Sequence, residues 1–257
     1  MNQDSTDYKY EKNFLSRVIF RVDFPKILDL DLKEPTAEFQ KNIIEKYPKV
    51  KERHIDNVKF KLTLNGKDTG SSEQQTELAW EFTDKENKKK VFISSDNVSI
   101  EYIHYYGGFE ELNEDINLIF GNLIEFYPVK IANRVGLRYI NEIELDGSKF
   151  EWSSLLKPHI HNPTTEFIPQ TDNVLRSMHL LDVKEEEFDL KFQFGMWNSE
   201  YPSPISRKEF VLDYDCILEK EIEISEIFPV SDELHKTVKK WFENSIDDGL
   251  REEMGII

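Results

Sequence analysis

The chain of 257 residues has a single cysteine, Cys216, which rules out an intramolecular disulfide framework and fits a reducing compartment. No apolar run is long enough to cross a bilayer. The first thirteen residues are mostly polar and lack the charged-then-apolar succession of a secretory leader. A cytoplasmic protein without membrane association is therefore expected. Basic residues are in deficit, with 33 Lys and Arg against 50 Asp and Glu and a formal net charge of -17. Such a balance opposes binding to a phosphate backbone, which draws on clustered Lys and Arg to release counterions, so direct nucleic-acid binding is not expected. Catalytic signatures are missing too: there is no G-x-S-x-G elbow, no G-x-G-x-x-G and no G-x-x-x-x-G-K-[ST]. No cofactor is expected.

What the chain does have is core material, 39% hydrophobic residues with 18 Phe, 10 Tyr and 4 Trp, enough for an ordered globular protein. It also has a repeated arginine-bearing segment, Arg17-Val18-Ile19-Phe20-Arg21-Val22 and Arg134-Val135-Gly136-Leu137-Arg138-Tyr139. After a flexible, loosely attached arm expected over residues 1–13, Val18, Phe20, Val22 and Phe24 alternate as in a strand that Pro25 ends. Pro35 then opens a helix with Phe39, Ile43, Ile44 and Tyr47 on one face. Four antiparallel strands are predicted between Ile55 and Tyr106, with Asn65-Gly66, Asp84 to Lys90 and Asp96-Asn97 as turns. Gly107-Gly108 leads into a helix carrying Phe109, Leu112, Ile116, Ile119, Phe120 and Leu123, with Glu110, Glu111, Glu114 and Asp115 suiting its N-terminal dipole.

The second half opens with a strand from Ile131 to Leu145. A Pro-, Asn- and Thr-rich loop over 157–173 follows, then strands at Leu175 to Val183, Phe188 to Phe194 and Phe210 to Leu218. A closing helix is predicted from near Ser231 as N-cap. The expected fold class is α+β, with two similar halves at 14–128 and 129–257 packed as one unit, each an antiparallel sheet with a long helix. Such a duplication resembles the TATA-box-binding-protein-like or helix-grip architecture.

The run Arg134-Val135-Gly136-Leu137-Arg138-Tyr139-Ile140-Asn141, followed by Trp152 and Leu155-Leu156-Lys157-Pro158, is similar to that of a family of sporadically distributed prokaryotic proteins of about 250–270 residues. The resemblance covers essentially the whole chain. It implies no particular activity, substrate or cofactor; the family's patchy distribution implies a mobile-element, defence or toxin-neutralising setting.

Candidate chemistry rests on few residues. In a strand, residues four apart share a face, so Arg17 with Arg21, and Arg134 with Arg138, project paired guanidinium groups. These either converge on a phosphate or carboxylate, which an arginine fork binds bidentately, or pair with carboxylates such as Glu81, Glu101, Glu142, Glu144 or Asp213 on neighbouring strands. His104, just before Gly107-Gly108, lies where a helix N-terminus could meet an anion. His159 and His161, one residue apart on an extended segment, form the best metal-ligand pattern, with Glu166 and Asp172 in the same loop. Cys216 reads as an inert core thiol, and Trp197 to Pro204 as an aromatic contact loop. Without a catalytic constellation, the expected function is non-enzymatic binding of another protein. Two other classes stay open: a nucleotide- or phosphate-binding effector or enzyme on the arginine strands, and a metal-dependent hydrolase on the histidines.

Overall fold

The computed structural model describes residues 9–28, 37–61, 71–166 and 173–257. The chain is α+β and is organised on one large antiparallel sheet. Its strands are β1 (Leu15–Asp23), β2 (Lys49–Lys61), β3 (Ser71–Thr83), β4 (Lys89–Ser94), β5 (Asn97–Ile103), β7 (Arg134–Leu145), β8 (Ser177–Glu185), β9 (Phe188–Met196) and β10 (Lys208–Leu218). They lie side by side in the order β2-β3-β4-β5-β1-β7-β10-β9-β8. A separate two-stranded ladder joins β6 (Ile131–Ala132) to β11 (Ile222–Glu223). The helices are α1 (Ala37–Ile43), α2 (Phe109–Phe126), α3 (Pro158–Thr165), α4 (Ile227–Ser245) and α5 (Asp248–Met254).

Alternation decides which face is buried. Val18, Phe20 and Val22 of β1 point to one side and are fully buried, and Val135, Leu137 and Tyr139 of β7 share that side, because β1 pairs with β7 as Val18 with Tyr139 and Val22 with Val135. Four helices cover this side. Phe120 of α2 meets Phe20 edge-on at 5.7 Å, Trp241 and Phe242 of α4 meet Phe192 and Tyr214, and Phe39 of α1 packs on Phe82 at 6.0 Å. Thr164 of α3 reaches His179 of β8 at 3.1 Å. The other side of the sheet, bearing Arg17, Arg21, Arg134 and Arg138, is left uncovered by these helices.

Several sequence expectations are corrected. The supposed loop after Lys157 begins with a helix: Pro158 stands in its first turn, where a missing N–H costs nothing, and Ile160 and Thr164, four apart, are buried. The closing helix starts four residues before Ser231, at Ile227, behind a short turn in which Glu223 and Glu226 form a capping box. Ser231 is consequently inside the helix, buried, and donates its hydroxyl to the Phe228 carbonyl. Ile44 lies past the end of α1 and is exposed, whereas Phe39, Ile43 and Tyr47 are buried as expected. Part of the anticipated arm is tied down, since Glu11 and Lys12 donate backbone hydrogen bonds to Gly255 and Met254, and Ile257 donates to Lys9. Pro35, Leu62, Leu64 and the Asn65-Gly66 turn lie outside the described residues.

Candidate functional site

The uncovered face is built from every second residue of its strands. Across the β1–β7 junction Arg17 stands opposite Ile140, Ile19 opposite Arg138, Arg21 opposite Gly136, and Asp23 opposite Arg134. Directly opposed residues share a face, so all four arginines lie on it. Three of them surround Gly136. Arg134 folds its guanidinium over that glycine, near enough that a β-carbon there would sit 3.1 Å from it, and Arg21 and Arg138 flank the spot. Arg17 is one row further along.

Each arginine meets acid. Arg17 Nε lies 3.0 Å from Glu101 on β5, and Arg21 Nε lies 2.6 Å from Asp23. Arg138 makes a bidentate pair with Asp213 on β10, Nε to Oδ1 at 2.8 Å and Nη2 to Oδ2 at 2.6 Å. Glu101 and Asp213 are two of the carboxylates expected from the sequence. Arg134 is different: its ion pair with Asp23 is long, 3.6 Å, and among the described residues its guanidinium makes no hydrogen bond. Asp215, opposite Arg138, has its carboxyl pushed above the ordinary range by burial, a push that Arg134 and Arg138 only partly offset. Towards β2 the mosaic continues, with buried Glu81 held by Lys51 at 2.8 Å and Arg53 at 3.0 Å. Burial alone would raise the Glu81 carboxyl; the hydrogen bonds from Lys51 and Arg53 bring it below its usual value.

The other predicted site residues scatter. His104 is exposed, has a positive φ of 47°, and lines an open depression of about 470 Å³ with Glu142, Glu144, Trp197 and Arg207, to which none of the four arginines contributes. His159 and His161 sit on α3, not on an extended segment, and residues two apart on a helix point about 200° away from each other. His161 turns inward, its Nδ1 3.5 Å from the Thr165 hydroxyl, and burial lowers its pKa, while His159 is exposed. Among the described residues no three His, Cys, Asp or Glu side chains are grouped to hold a metal ion, and Asp172 lies outside them. The Cys216 thiol is buried and pushed up to about 12, chiefly by desolvation, which fits an inert group. In the aromatic loop, the guanidinium of Arg176 lies between half-exposed Trp197 and Tyr201, 3.9 and 4.3 Å from their ring centres.

Sequence reasoning missed the most heavily buried charge. Asp115 of α2 is fully buried; it accepts from the Tyr102 hydroxyl at 2.5 Å, from Lys89 at 2.9 Å and from Lys46 at 3.0 Å. The signal was available: Asp115 falls three residues after Leu112 and four before Ile119, inside the apolar stripe and not on the solvated face. A second polar chain was missed because its members are distant in sequence, Tyr106 to Tyr139 at 2.8 Å and Tyr139 to His235 at 3.0 Å, with His235 stacked on Phe109 at 4.0 Å. This chain ties α2 to α4 beneath the sheet.

No protein-family model matches the chain, and no curated protein matches it.

Proposed function

We propose that this chain is a non-catalytic binding protein that recognises a protein partner through the helix-free face of its sheet. The observation that carries this reading is the charge mosaic of that face. Arginines and lysines alternate there with carboxylates, although the whole chain carries a net charge of -17. A near-balanced mosaic on an acidic molecule fits a folded surface of complementary pattern better than a polyanion, and it sets register more than affinity. The exposed pairs contribute only about 0–1 kcal/mol each to folding, so the fold does not require them. A defence or toxin-neutralising role, implied by the family resemblance, would use such a surface to occupy a toxic partner.

The strand order also supports reading the halves as copies of one unit. Outward from the centre run β1-β5-β4-β3-β2 on one side and β7-β10-β9-β8 on the other, five strands against four, so β2 has no counterpart. Each succession is followed in sequence by a long helix, α2 or α4, as in TATA-box-binding-protein-like or helix-grip arrangements.

Pull-down from native lysate tests the first reading. The wild type is expected to recover a specific protein, and the double reversal Arg17→Glu with Arg21→Glu to lose it at least about tenfold, with its melting temperature little changed. Recovery of the same protein by both chains would overturn the assignment of this face.

A second reading rests on Arg134. A guanidinium without a hydrogen bond, placed over Gly136 between two further arginines, suits a small phosphate or carboxylate. Saturating inorganic phosphate or a nucleotide is then expected to stabilise the wild type, by about 2.7 kcal/mol at a hundredfold excess over Kd, and to leave Arg134→Ala unmoved. Equal thermal shifts in both chains would remove this reading.

A further inference from the structure

The two outer edges of the sheet are built differently. The β2 edge presents the exposed charges Lys49, Lys51, Glu52 and Arg53 within one run, which blunts it against further strand pairing. The β8 edge also carries exposed Asp182 and Lys184, but at its middle it has two exposed leucines, Leu180 at 63% and Leu181 at 43%. It contains no proline, and it pairs with β9 from Ser177 to Glu185 without a bulge. Among the described residues no strand pairs with its outer side. On the helix-covered face, a pocket of about 420 Å³ opens beside Leu181, floored by Ile160, Phe192, Phe194 and Trp241. A free backbone edge beside an apolar pocket is the pattern that receives an added strand: main-chain hydrogen bonds bind it, and alternate side chains enter the pocket.

We propose that the strand added there is β8 of a second copy, forming a twofold dimer with one sheet continuous through both chains. Strand β8 tolerates its own copy about its centre, because that pairing opposes no two like charges. A dyad perpendicular to the sheet keeps each face on its own side, so opposed residues must be of like parity. The register that pairs all nine residues of the strand places Leu181 on the dyad against its own copy. It sets Leu180 against Asp182, His179 against Val183, Met178 against Lys184, and Ser177 against Glu185. No like charges oppose one another. Moving the dyad by one residue, to Asp182, would instead place two carboxylates face to face. In the Leu181 register the two leucines close together over both apolar pockets. This surface is separate from the charged face, so the dimer stands or falls independently of the partner-binding reading.

Sedimentation from about 1 to about 100 μM, where a modest homodimer is populated, is expected to show monomer and dimer in exchange. Leu181→Asp, which puts two carboxylates on the dyad, is expected to weaken the dimer at least about tenfold. The register is read by a second pair of variants at an exposed position. Leu180→Asp faces Asp182 of the other copy and weakens association, whereas Leu180→Lys faces the same carboxylate and preserves or tightens it. Circular dichroism confirms that the variants remain folded. A chain that stays monomeric throughout overturns the proposal, as does a dimer indifferent to Leu181→Asp or one that Leu180→Lys weakens as much as Leu180→Asp.

Discussion

Asp115→Ala is expected to destabilise the protein by about 3–5 kcal/mol, a large share of the roughly 5–15 kcal/mol that holds a domain folded. Taking a carboxylate out of water costs several kcal/mol, and here the Tyr102 hydroxyl, Lys89 and Lys46 offset that cost. Alanine leaves the Tyr102 hydroxyl without its acceptor and the largely buried Lys89 ammonium with Glu111 alone. The isosteric Asp115→Asn keeps the packing and an acceptor but drops the charge, so it should fall between wild type and alanine. Burial alone would raise the Asp115 carboxyl; hydrogen bonds from Tyr102 and Lys89 hold it below the usual carboxylate range. A group whose folded pKa is depressed stabilises fully above its unfolded value, about 3.9, and loses that contribution as pH falls through the folded value. Urea unfolding at neutral pH and on a series down to about pH 3 should therefore show a shallower acid dependence for Asp115→Asn than for wild type. Equal urea midpoints for Asp115→Ala and wild type would mean that the network contributes no stability.

The same residue shows where the sequence could be read and where it could not. Period-two alternation at Val18, Phe20 and Val22, and again at Leu190, Phe192 and Phe194, identified strands because one face of each is buried. The α2 stripe was equally plain. Asp115 was misassigned to the helix dipole because it stands in the first turns among three glutamates, and only its spacing from Leu112 and Ile119 separates it from them. Helix α3 was hidden by a Pro-, Asn- and Thr-rich composition that ordinarily marks a loop. The shared face of the arginines followed from their spacing, and Glu101 and Asp213 were among the expected partners. Their placement around Gly136 did not follow, because the register of β1 on β7 joins segments more than a hundred residues apart. The contrast between the β2 and β8 edges likewise depends on strand order, which no local pattern encodes.

Gly195→Ala is the substitution expected to damage the far side of the sheet most, by about 3 kcal/mol or more. Gly195 lies near the end of β9 with a φ of +142°, a conformation that side-chain-bearing residues rarely adopt. A β-carbon there would stand 2.0 Å from the Ser177 carbonyl oxygen and 3.0 Å from Met178 Cα. Those are backbone atoms, so no rotamer change relieves the clash; the start of β8 must move away. With it would go the contacts of Ser177 and His179 to Thr164, which fasten α3 to the sheet. The effect should therefore be local as well as global, with amide exchange accelerating in β8 and α3 more than in β1 or α2. Gly121→Ala supplies a control of opposite sign: Gly121 is exposed in α2 with nothing within 4 Å of the new methyl group, so alanine's helix preference should stabilise by about 0.8–1 kcal/mol. If both alanine variants unfold at the wild-type denaturant concentration, the backbone geometry assigned to Gly195 is wrong. If Gly195→Ala unfolds early but exchange rises evenly across the sheet, β8 and α3 are bound more tightly to the core than their contacts indicate. A dimer built through β8 adds a third readout, since Gly195→Ala should weaken self-association while Gly121→Ala leaves it unchanged.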